Sequence, residues 1–254
     1  MRTLKDIGRG LAAYSEAFRL IRSLELYKYM AIPLGISLTV TLVIGLLAKQ
    51  IKSLVKAYFK GFWPWEFGAD FMAQLSGVLS SLGVLFLGFI LTKYLVLALS
   101  APFMSGVADR IKMHYAPELH PKNDHQFWTL LWRGLRLNLG NLIRELCLTV
   151  LLLMLSVIPP FGLITAPLLL LIQAYFVGVG NLDYSLEAFF NYRQSKSFLN
   201  QYRGLAIGNG FLFNLLALIP FVGVIIVLPL SVSAAAISVF KHTELMANPN
   251  RLMN

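Results

Sequence analysis

Residues 30–47 read MAIPLGISLTVTLVIGLL, a run of 18 residues without a charged side chain. As an α-helix this run would rise about 27 Å, at about 1.5 Å per residue. That length is close to the roughly 30 Å hydrocarbon thickness of a bilayer. Pro33 falls in the first turn of the helix, where proline is tolerated because the N–H it lacks has no helical partner there. The stretch therefore predicts a transmembrane helix.

The composition of the whole chain indicates the same class. Of its 254 residues, 57% are hydrophobic and 13% are charged, and the mean hydropathy is +0.68. Soluble domains carry about 45–50% apolar and about 25% charged residues. The net charge of +10 comes from Lys and Arg in the connections between apolar runs, which favours contact with anionic lipid headgroups over nucleic-acid binding. We therefore expect an all-α integral membrane protein in a single membrane domain, 1–254, with membrane lipids but no nucleic acid among its partners.

The residues before this first segment, 1–28, form a polar stretch with a regular apolar pattern. Its apolar positions recur at spacings of three and four, which places them on one face of a helix. These positions are Leu4, Ile7, Leu11, Tyr14, Phe18 and Ile21. Because the stretch is also basic, it predicts an amphipathic helix that lies in the membrane interface. Packing of the same helix on the protein's own cytoplasmic surface is the alternative that the pattern leaves open.

The second apolar segment, residues 75–108, is longer than one bilayer requires. Its 34 residues would extend about 51 Å as a helix, which predicts one long, tilted transmembrane helix. Pro102 is expected to kink or end it. Lys93 lies within the apolar run, where a cation must face a cavity, pair with a partner, or extend to the membrane edge.

Two further apolar segments, 146–182 and 204–240, each contain a proline-glycine element near the middle. The elements are IPPFG at 158–162 and IPFVG at 219–223, and each is followed by a second proline, Pro167 or Pro229. The arm before the first element has 13 residues, about 20 Å of helix, and the second prolines are expected to break the arms after the elements. We therefore predict two helical hairpins that dip into the bilayer, and paired broken segments of this kind indicate a transport site.

The distribution of cations predicts the orientation of the chain in the membrane. Lys and Arg number six in 1–28, six in 109–145, three in 181–203 and two in 241–254, so 17 of the 22 share one side. The connection 48–72, on the other side, carries four. Because cytoplasmic loops are enriched in Lys and Arg, both termini are predicted to lie in the cytoplasm. The prediction is the same whether the hairpins cross the membrane or return within it.

The sequence contains no signature of an enzyme or of a cofactor site. Nucleotide-binding loops, zinc-protease pairs and nucleophile elbows are absent, so we expect a protein that is not an enzyme and needs no cofactor. Three histidines lie in one polar loop beside Asp124, but their spacing suits no single helix face and does not favour a metal site. These are His114, His120 and His125.

Cations at the membrane edge are the residues best suited to bind an anion. Arg22 and Lys28 precede the first segment, and three arginines precede the third. Those three are Arg133, Arg136 and Arg144. Arginine is a good bidentate partner for a tetrahedral oxyanion, although each of these cations also fits the role of an ordinary topology anchor.

Two carboxylates, Asp183 and Glu187, follow the first hairpin. They are expected to pair with Arg193 or Arg203, or to cap the helix that begins there. Proton coupling is the less favoured alternative for the two groups.

Several short motifs resemble the CysZ sulfate-permease family, which shares a domain with the etoposide-induced protein family. They are, in order, Ala101-Pro102-Phe103, Ala108-Asp109, Ile158-Pro159 through Ala166-Pro167, Leu182-Asp183-Tyr184, Ser197-Phe198, and Ile219-Pro220 through Leu228-Pro229. Each motif alone is weakly specific, whereas their order and spacing together are fairly specific. The resemblance covers about residues 10–243.

The resemblance implies an inner-membrane protein that takes up sulfate for cysteine synthesis, assembles as a homo-oligomer and has no nucleotide-binding part. It also implies a fold of two long transmembrane helices and two partly inserted hairpins. The family's sulfate site lies in a Gly-Leu-Arg-Arg-like loop before the first span, where this chain reads Glu25-Leu26-Tyr27-Lys28. Lys28 is thus the cation retained in the loop, and we predict that Lys28, helped by Arg22, binds the anion. A membrane-shaping or scaffold protein without transport is the alternative function.

Overall fold

The computed structural model describes residues 2–29, 31–62, 69–119, 126–156, 159–219 and 226–243, with side chains in 3–29, 31–47, 88, 90–119, 126–156, 161–219 and 226–243. The α-helices in these ranges are α1 (Arg2–Ser23), α2 (Ala31–Phe62), α3 (Ala69–Tyr115), α4 (Phe127–Ser156), α5 (Pro159–Leu186), α6 (Tyr192–Gln201), α7 (Arg203–Ala217) and α8 (Val227–His242), and a 3₁₀ helix covers Leu26–Tyr29. No strand occurs within these described ranges, which confirms the all-α class.

Four stretches of the described residues are long and apolar enough to cross a membrane. They are Leu26–Leu47, Ile90–Tyr115, Phe127–Ser156 and Phe161–Leu186. The helix predicted at 30–47 corresponds to the first part of α2, which continues to Phe62. These stretches are what a multi-pass membrane protein requires, because each can satisfy all its backbone hydrogen bonds within itself while surrounded by lipid.

Helix α3 is a single helix, as predicted, but Pro102 does not end it. The helix runs through the proline for another 13 residues, to Tyr115. Proline leaves the carbonyl of the residue four positions earlier, Ala98, without its helical donor. The backbone of α4 packs tightly at this point, since a Cβ atom on Gly134 would lie 3.2 Å from the Ala98 oxygen and 2.4 Å from the Ala101 Cβ. Close packing of α4 at this point supports the helix where its hydrogen bonding is interrupted.

The two predicted hairpins differ in length. The prediction of a short first arm, starting at residue 146, is wrong: α4 begins 19 residues earlier, at Phe127, and spans 30 residues, or about 45 Å. Its first half carries polar side chains and so lacks the apolar signal of the second half. Pro167 does not break the following arm either, because α5 continues through it to Leu186. Residues 157–158, between α4 and α5, lie outside the described residues.

The second hairpin has short arms. Helices α7 and α8 contain 15 and 16 residues, about 22 and 24 Å of helix, which is less than the roughly 30 Å needed to cross the hydrocarbon layer. Pro229 lies in the first turn of α8, where proline is accommodated, and the helix continues from it to His242. Residues 220–225, between α7 and α8, lie outside the described residues.

Helix α1 packs on the rest of the protein, which was the alternative to a helix lying in the membrane interface. Gly10, Ala13, Tyr14 and Ala17 are buried, and the Tyr14 hydroxyl donates to the Asn209 carbonyl oxygen of α7 at 2.6 Å. The predicted single apolar face is in fact divided. Leu4 and Phe18 are 74% and 70% exposed and form a separate outward stripe. Small residues determine which face is buried, because they let the helices approach closely.

Helix α7 is held at backbone contact distance between α5 and α1. A Cβ atom on Gly178 of α5 would lie 1.8 Å from the Ala206 oxygen, and one on Gly210 of α7 would lie 1.8 Å from the Ala174 oxygen. On the α1 side, a Cβ atom on Gly208 would lie 2.3 Å from the Ile7 oxygen. Small residues at such spacings allow close helix crossings in lipid, where hydrophobicity does not drive helices together.

Candidate functional site

The predicted anion-binding cations lie at the junction of α1 and α2. Arg22 is exposed in the last turn of α1, and Lys28 lies in the 3₁₀ helix that follows. Lys28 donates to the carboxylate of Glu25, and both side chains are more than half exposed. The hydrogen bond from Lys28 holds the pKa of Glu25 below its ordinary value. The carboxylate is therefore charged at neutral pH and offsets the charge of Lys28 within the loop.

A pocket of about 680 Å³ lies beside this loop. Its lining includes Glu25, Tyr29, Asp109 and Arg110. The Arg110 guanidinium donates to the Leu24 carbonyl oxygen at 3.4 Å and lies 5.8 Å from the Tyr29 ring centroid. With two carboxylates and one guanidinium in its lining, the pocket offers no excess of positive charge to an anion.

Lys93 pairs across the α3–α4 interface, which is one of the three outcomes open to it. Its ammonium lies 3.0 Å from the Glu145 carboxylate, and both groups are buried. The Tyr94 hydroxyl donates to the other oxygen of the same carboxylate. Sequence reasoning missed Glu145 because it falls one residue before the predicted start of the third segment. The signal that could have found it is the position of Glu145 directly before an apolar run, where a carboxylate can pair with a lysine buried in another helix.

Arg133 and Asp183 form a second buried ion pair, between α4 and α5. The guanidinium donates to both carboxylate oxygens, at 3.0 and 2.8 Å. It also donates to Ser195 Oγ at 2.8 Å and to the Phe190 carbonyl oxygen at 2.5 Å. The predicted partners Arg193 and Arg203 are therefore wrong for Asp183. The guanidinium of Arg133 is held by these four contacts to the protein.

The predicted role of these carboxylates as a helix cap is also wrong. Asp183 lies within α5, and Glu187 follows its last residue. Helix α6 is capped by Asn191 instead: the Asn191 side chain accepts from the Gln194 backbone N–H, and the Gln194 side chain accepts from the Asn191 backbone N–H. Glu187 is buried and accepts from the Ser105 hydroxyl of α3. The carboxylates thus tie α5 to α3 and α4.

Buried asparagine side chains form further hydrogen bonds between the helices, from α5 through α7 to α8. Asn181 of α5 donates to the side-chain oxygen of Asn209 of α7 at 2.9 Å, and Asn209 donates to the Ser231 carbonyl oxygen of α8 at 2.8 Å. Hydrogen bonds between helices contribute about 0.6 kcal/mol each on average in membrane proteins. These hydrogen bonds also fix the position of α7 along its neighbours, since α7 otherwise packs mostly through small residues.

A cleft of about 530 Å³ opens between α4, α5, α6 and α7. Its charged lining residues are Arg144, Lys196 and Arg203, all exposed. Among the described residues that line it there is no carboxylate. Of the three arginines predicted before the third segment, Arg144 alone lies in this cleft, because Arg133 is paired and Arg136 stacks on the Tyr192 ring at 4.7 Å. This cleft is therefore a cation-lined site that is separate from the predicted loop.

Metal-ligand geometry is not found in the described ranges, where no group of three His, Cys, Asp or Glu side chains converges. Of the polar-loop residues, His114 is described and packs edge-to-face against Tyr115, with ring centroids 4.8 Å apart. His120, Asp124 and His125 lie outside the described residues.

Comparison with known proteins identifies the family of this bundle. A search against curated proteins gives no match. The profile of one family, described as Sulfate transporter CysZ/Etoposide-induced protein 2.4, matches residues 13–227. The match extends from α1 into the first residue of α8 and includes both buried ion pairs and the cation-lined cleft. This chain belongs to the Sulfate transporter CysZ/Etoposide-induced protein 2.4 family.

Proposed function

We propose that this protein is a permease for tetrahedral oxyanions, with sulfate as the leading solute for cysteine synthesis. The observation that carries the proposal is the family match over residues 13–227. Its structural support is the set of ionisable and polar side chains between the apolar helices, since such residues in membrane spans mark solute pathways by default. We place it in a bacterial inner membrane as a homo-oligomer, with both termini in the cytoplasm.

The predicted loop supplies the first site to test. Lys28 and Arg22 are exposed cations beside the first span, where a solute at the predicted cytoplasmic mouth of the path would meet them. An arriving dianion competes with Glu25 for Lys28, and an exposed ion pair of this kind is weak enough to exchange. The proposal for Lys28 therefore requires that the Glu25 contact opens when the anion binds.

Uptake of labelled sulfate into proteoliposomes tests the function and the loop separately. Wild-type protein is expected to give flux above that of empty liposomes. Lys28→Ala is expected to reduce it about tenfold or more, since a hydrogen bond to a charged group contributes about 1.5–3 kcal/mol. Lys5→Ala removes an exposed cation of α1 and serves as the control.

The two outcomes that contradict the proposal are distinct. Wild-type flux no greater than that of empty liposomes would exclude transport of sulfate. Normal flux in Lys28→Ala and Arg22→Ala, with normal flux in Lys5→Ala, would exclude the loop as the site and leave the transport function intact.

A membrane-shaping role is the second candidate, and the outward stripe on α1 favours it. Leu4 and Phe18 are largely exposed beside basic residues, as in helices that insert one face into a lipid surface. Tubulation of anionic vesicles by the purified protein, lost in Leu4→Ser/Phe18→Ser, is expected for this role. Sulfate flux that persists in the same double variant would favour the permease.

A further inference from the structure

The cleft between α4, α5, α6 and α7 concentrates positive charge from three separate helices. Arg144 comes from α4, Lys196 from α6, and Arg203 is the first residue of α7. None of the three forms an ion pair with any carboxylate that the structure describes. Like charges brought to one cleft repel one another, so a bound anion with two charges would relieve that repulsion.

The nearest acidic residues are held away from the cleft. Glu145 follows Arg144 in sequence, but successive residues of a helix point about 100° apart, and Glu145 is turned towards α3, where it pairs with Lys93. Asp183 is bound by Arg133, which lies about three helical turns before Arg144 on α4. The two buried ion pairs thus use the acids of this region and leave the cations of the cleft without acidic partners among the described residues.

One of the cleft arginines is held in place by neighbouring groups. Asn141 donates to the Phe176 carbonyl oxygen of α5 at 3.2 Å and accepts from Arg144 at 3.4 Å. The Arg144 guanidinium also lies over Gly140, since a Cβ atom there would be 3.8 Å from its terminal nitrogens. Arg144 is thereby positioned on the cleft wall with most of its five N–H donors still available.

Neutral polar groups complete the polar part of the lining. The Tyr175 hydroxyl of α5 donates to the Asn200 side-chain oxygen of α6 at 3.2 Å. With its oxygen engaged, Asn200 has its amide N–H₂ as the remaining group for a ligand. Guanidinium, ammonium and amide donors together match the many acceptor sites of an oxyanion with four oxygens.

The rest of the lining is apolar and continues into the lipid-facing part of the bundle. It includes Leu148 of α4 and Leu171 of α5, both exposed. Beyond Glu145, α4 carries no further charged residue up to its end at Ser156. The cleft therefore has a cationic end and an apolar end, and its volume is within the roughly 300–1,000 Å³ typical of ligand pockets.

We propose that the cleft formed by Arg144, Lys196 and Arg203 binds a tetrahedral oxyanion, either free sulfate or the phosphate of a lipid headgroup. As a site for the transported solute, this assignment rests on the proposed function, whereas oxyanion binding itself does not. The cationic end holds the oxygens, and the apolar end accommodates either the hydrocarbon part of a lipid or the lipid-exposed edge of the solute path.

Equilibrium binding of radiolabelled sulfate to the purified full-length protein in neutral detergent is the first arm of the test. Arg144→Ala and Arg203→Gln are each expected to weaken binding about tenfold, as loss of a charge-assisted hydrogen bond predicts. Arg203→Lys retains the charge and is expected to recover part of the affinity. Arg193→Ala, an exposed arginine of α6 outside the cleft lining, is the matched control and is expected to bind as wild type.

The second arm distinguishes a lipid from a free anion. The thermal midpoint of each variant is measured with added phosphatidylglycerol and with added phosphatidylcholine. Stabilisation by phosphatidylglycerol that is lost in Arg144→Ala and Arg203→Gln, with sulfate affinity unchanged, assigns the cleft to a headgroup. Weakened sulfate binding in those variants assigns it to the free anion.

Two results separate this proposal from the proposed function. If both cleft variants retain sulfate affinity and phosphatidylglycerol stabilisation, the cleft assignment is overturned, while sulfate flux in proteoliposomes would still support the permease. If sulfate binding depends on the cleft but wild-type protein gives no flux, the transport function fails and the binding site stands. Size-exclusion profiles of the variants show whether each is folded, and the use of two arginines on different helices guards against loss of one variant.

Discussion

At the level of single residues, the Lys93–Glu145 pair is a contact whose loss is expected to be costly. Removing one partner of a buried ion pair leaves an uncompensated charge and costs about 3–5 kcal/mol, whereas replacing both by apolar residues is often neutral or stabilising. Glu145→Leu is therefore expected to lower the free energy of unfolding by about 3–5 kcal/mol. Lys93→Met/Glu145→Leu is expected to recover most of that loss, as measured by unfolding in mixed detergent micelles.

An exposed pair provides the control for this prediction. Lys28 and Glu25 form an ion pair with both side chains more than half exposed, so Lys28→Met is expected to leave the unfolding transition where it is. A double variant of the buried pair that is as unstable as Glu145→Leu alone would contradict the prediction. It would show that Tyr94, which donates to the same carboxylate, contributes the larger part of the stabilisation.

At the residue scale the sequence limited Lys93 to three environments without choosing among them, and it gave the wrong partners for Asp183. A lysine in an apolar helix must be compensated, which predicts that Lys93 needs a partner, a cavity or a route to the interface. The identity of Glu145 depends on how α3 and α4 are aligned, and that alignment is a property of tertiary packing. The same reason explains why Asp183 pairs with Arg133, 50 residues away, instead of a cation near it in sequence.

At the level of elements, the crossing of α5 and α7 depends on the absence of a side chain at Gly178. Gly178→Ala would place a Cβ atom 1.8 Å from the Ala206 oxygen, so the two helices must separate. The expected cost is about 1–3 kcal/mol, typical of overpacking, and it is measured as a lower thermal midpoint and loss of monodisperse protein in detergent.

Gly35→Ala is the matched control for the helix crossing. A Cβ atom on Gly35 of α2 would meet nothing within 4 Å, and alanine is the better helix former by about 0.5–1 kcal/mol. Stability equal to wild type or slightly higher is therefore expected. If Gly178→Ala behaves like Gly35→Ala, the close approach of α5 to α7 is not required for the fold.

The lengths of the elements were only partly predictable. The apolar half of α4 gives a clear hydropathy signal, whereas its first half, from Phe127, contains arginines and asparagines that resemble a connection. Those polar residues can be helical here because they face other helices: Asn138 and Asn141 are buried, and Arg133 is paired. When the polar face of a helix packs against other helices of the same protein, the hydropathy of its own residues does not reveal the helix.

At the level of the whole molecule, the charge asymmetry predicts the orientation in the membrane. In a Cys147→Ser background, Ser15→Cys on α1 and Ser197→Cys on α6 are both exposed sites predicted to face the cytoplasm. Both are expected to resist a membrane-impermeant maleimide in intact spheroplasts and to react after permeabilisation. Lys56→Cys, in the connection predicted to lie outside, is expected to react without permeabilisation.

The labelling pattern also has a clear contrary result. Reaction of Ser197→Cys in intact spheroplasts would place the cation-lined cleft on the outer side, because Lys196 and Arg203 belong to the same stretch of chain. That result would reverse the predicted orientation and change the side from which an oxyanion reaches the cleft.

The sequence by itself determined the class of this protein: a helical membrane protein with its cations concentrated in the connections between apolar segments. Bilayer thickness and the cost of unpaired backbone groups act on each segment separately, so local composition is sufficient for that conclusion. Tertiary structure decided which charges neutralise one another and which remain available. Arg133 and Arg144 are similar in sequence context, yet one binds Asp183 and the other lines a cleft without described acids. That difference arises from helix packing, which fixes the direction of each side chain and the distance to residues far away in the chain.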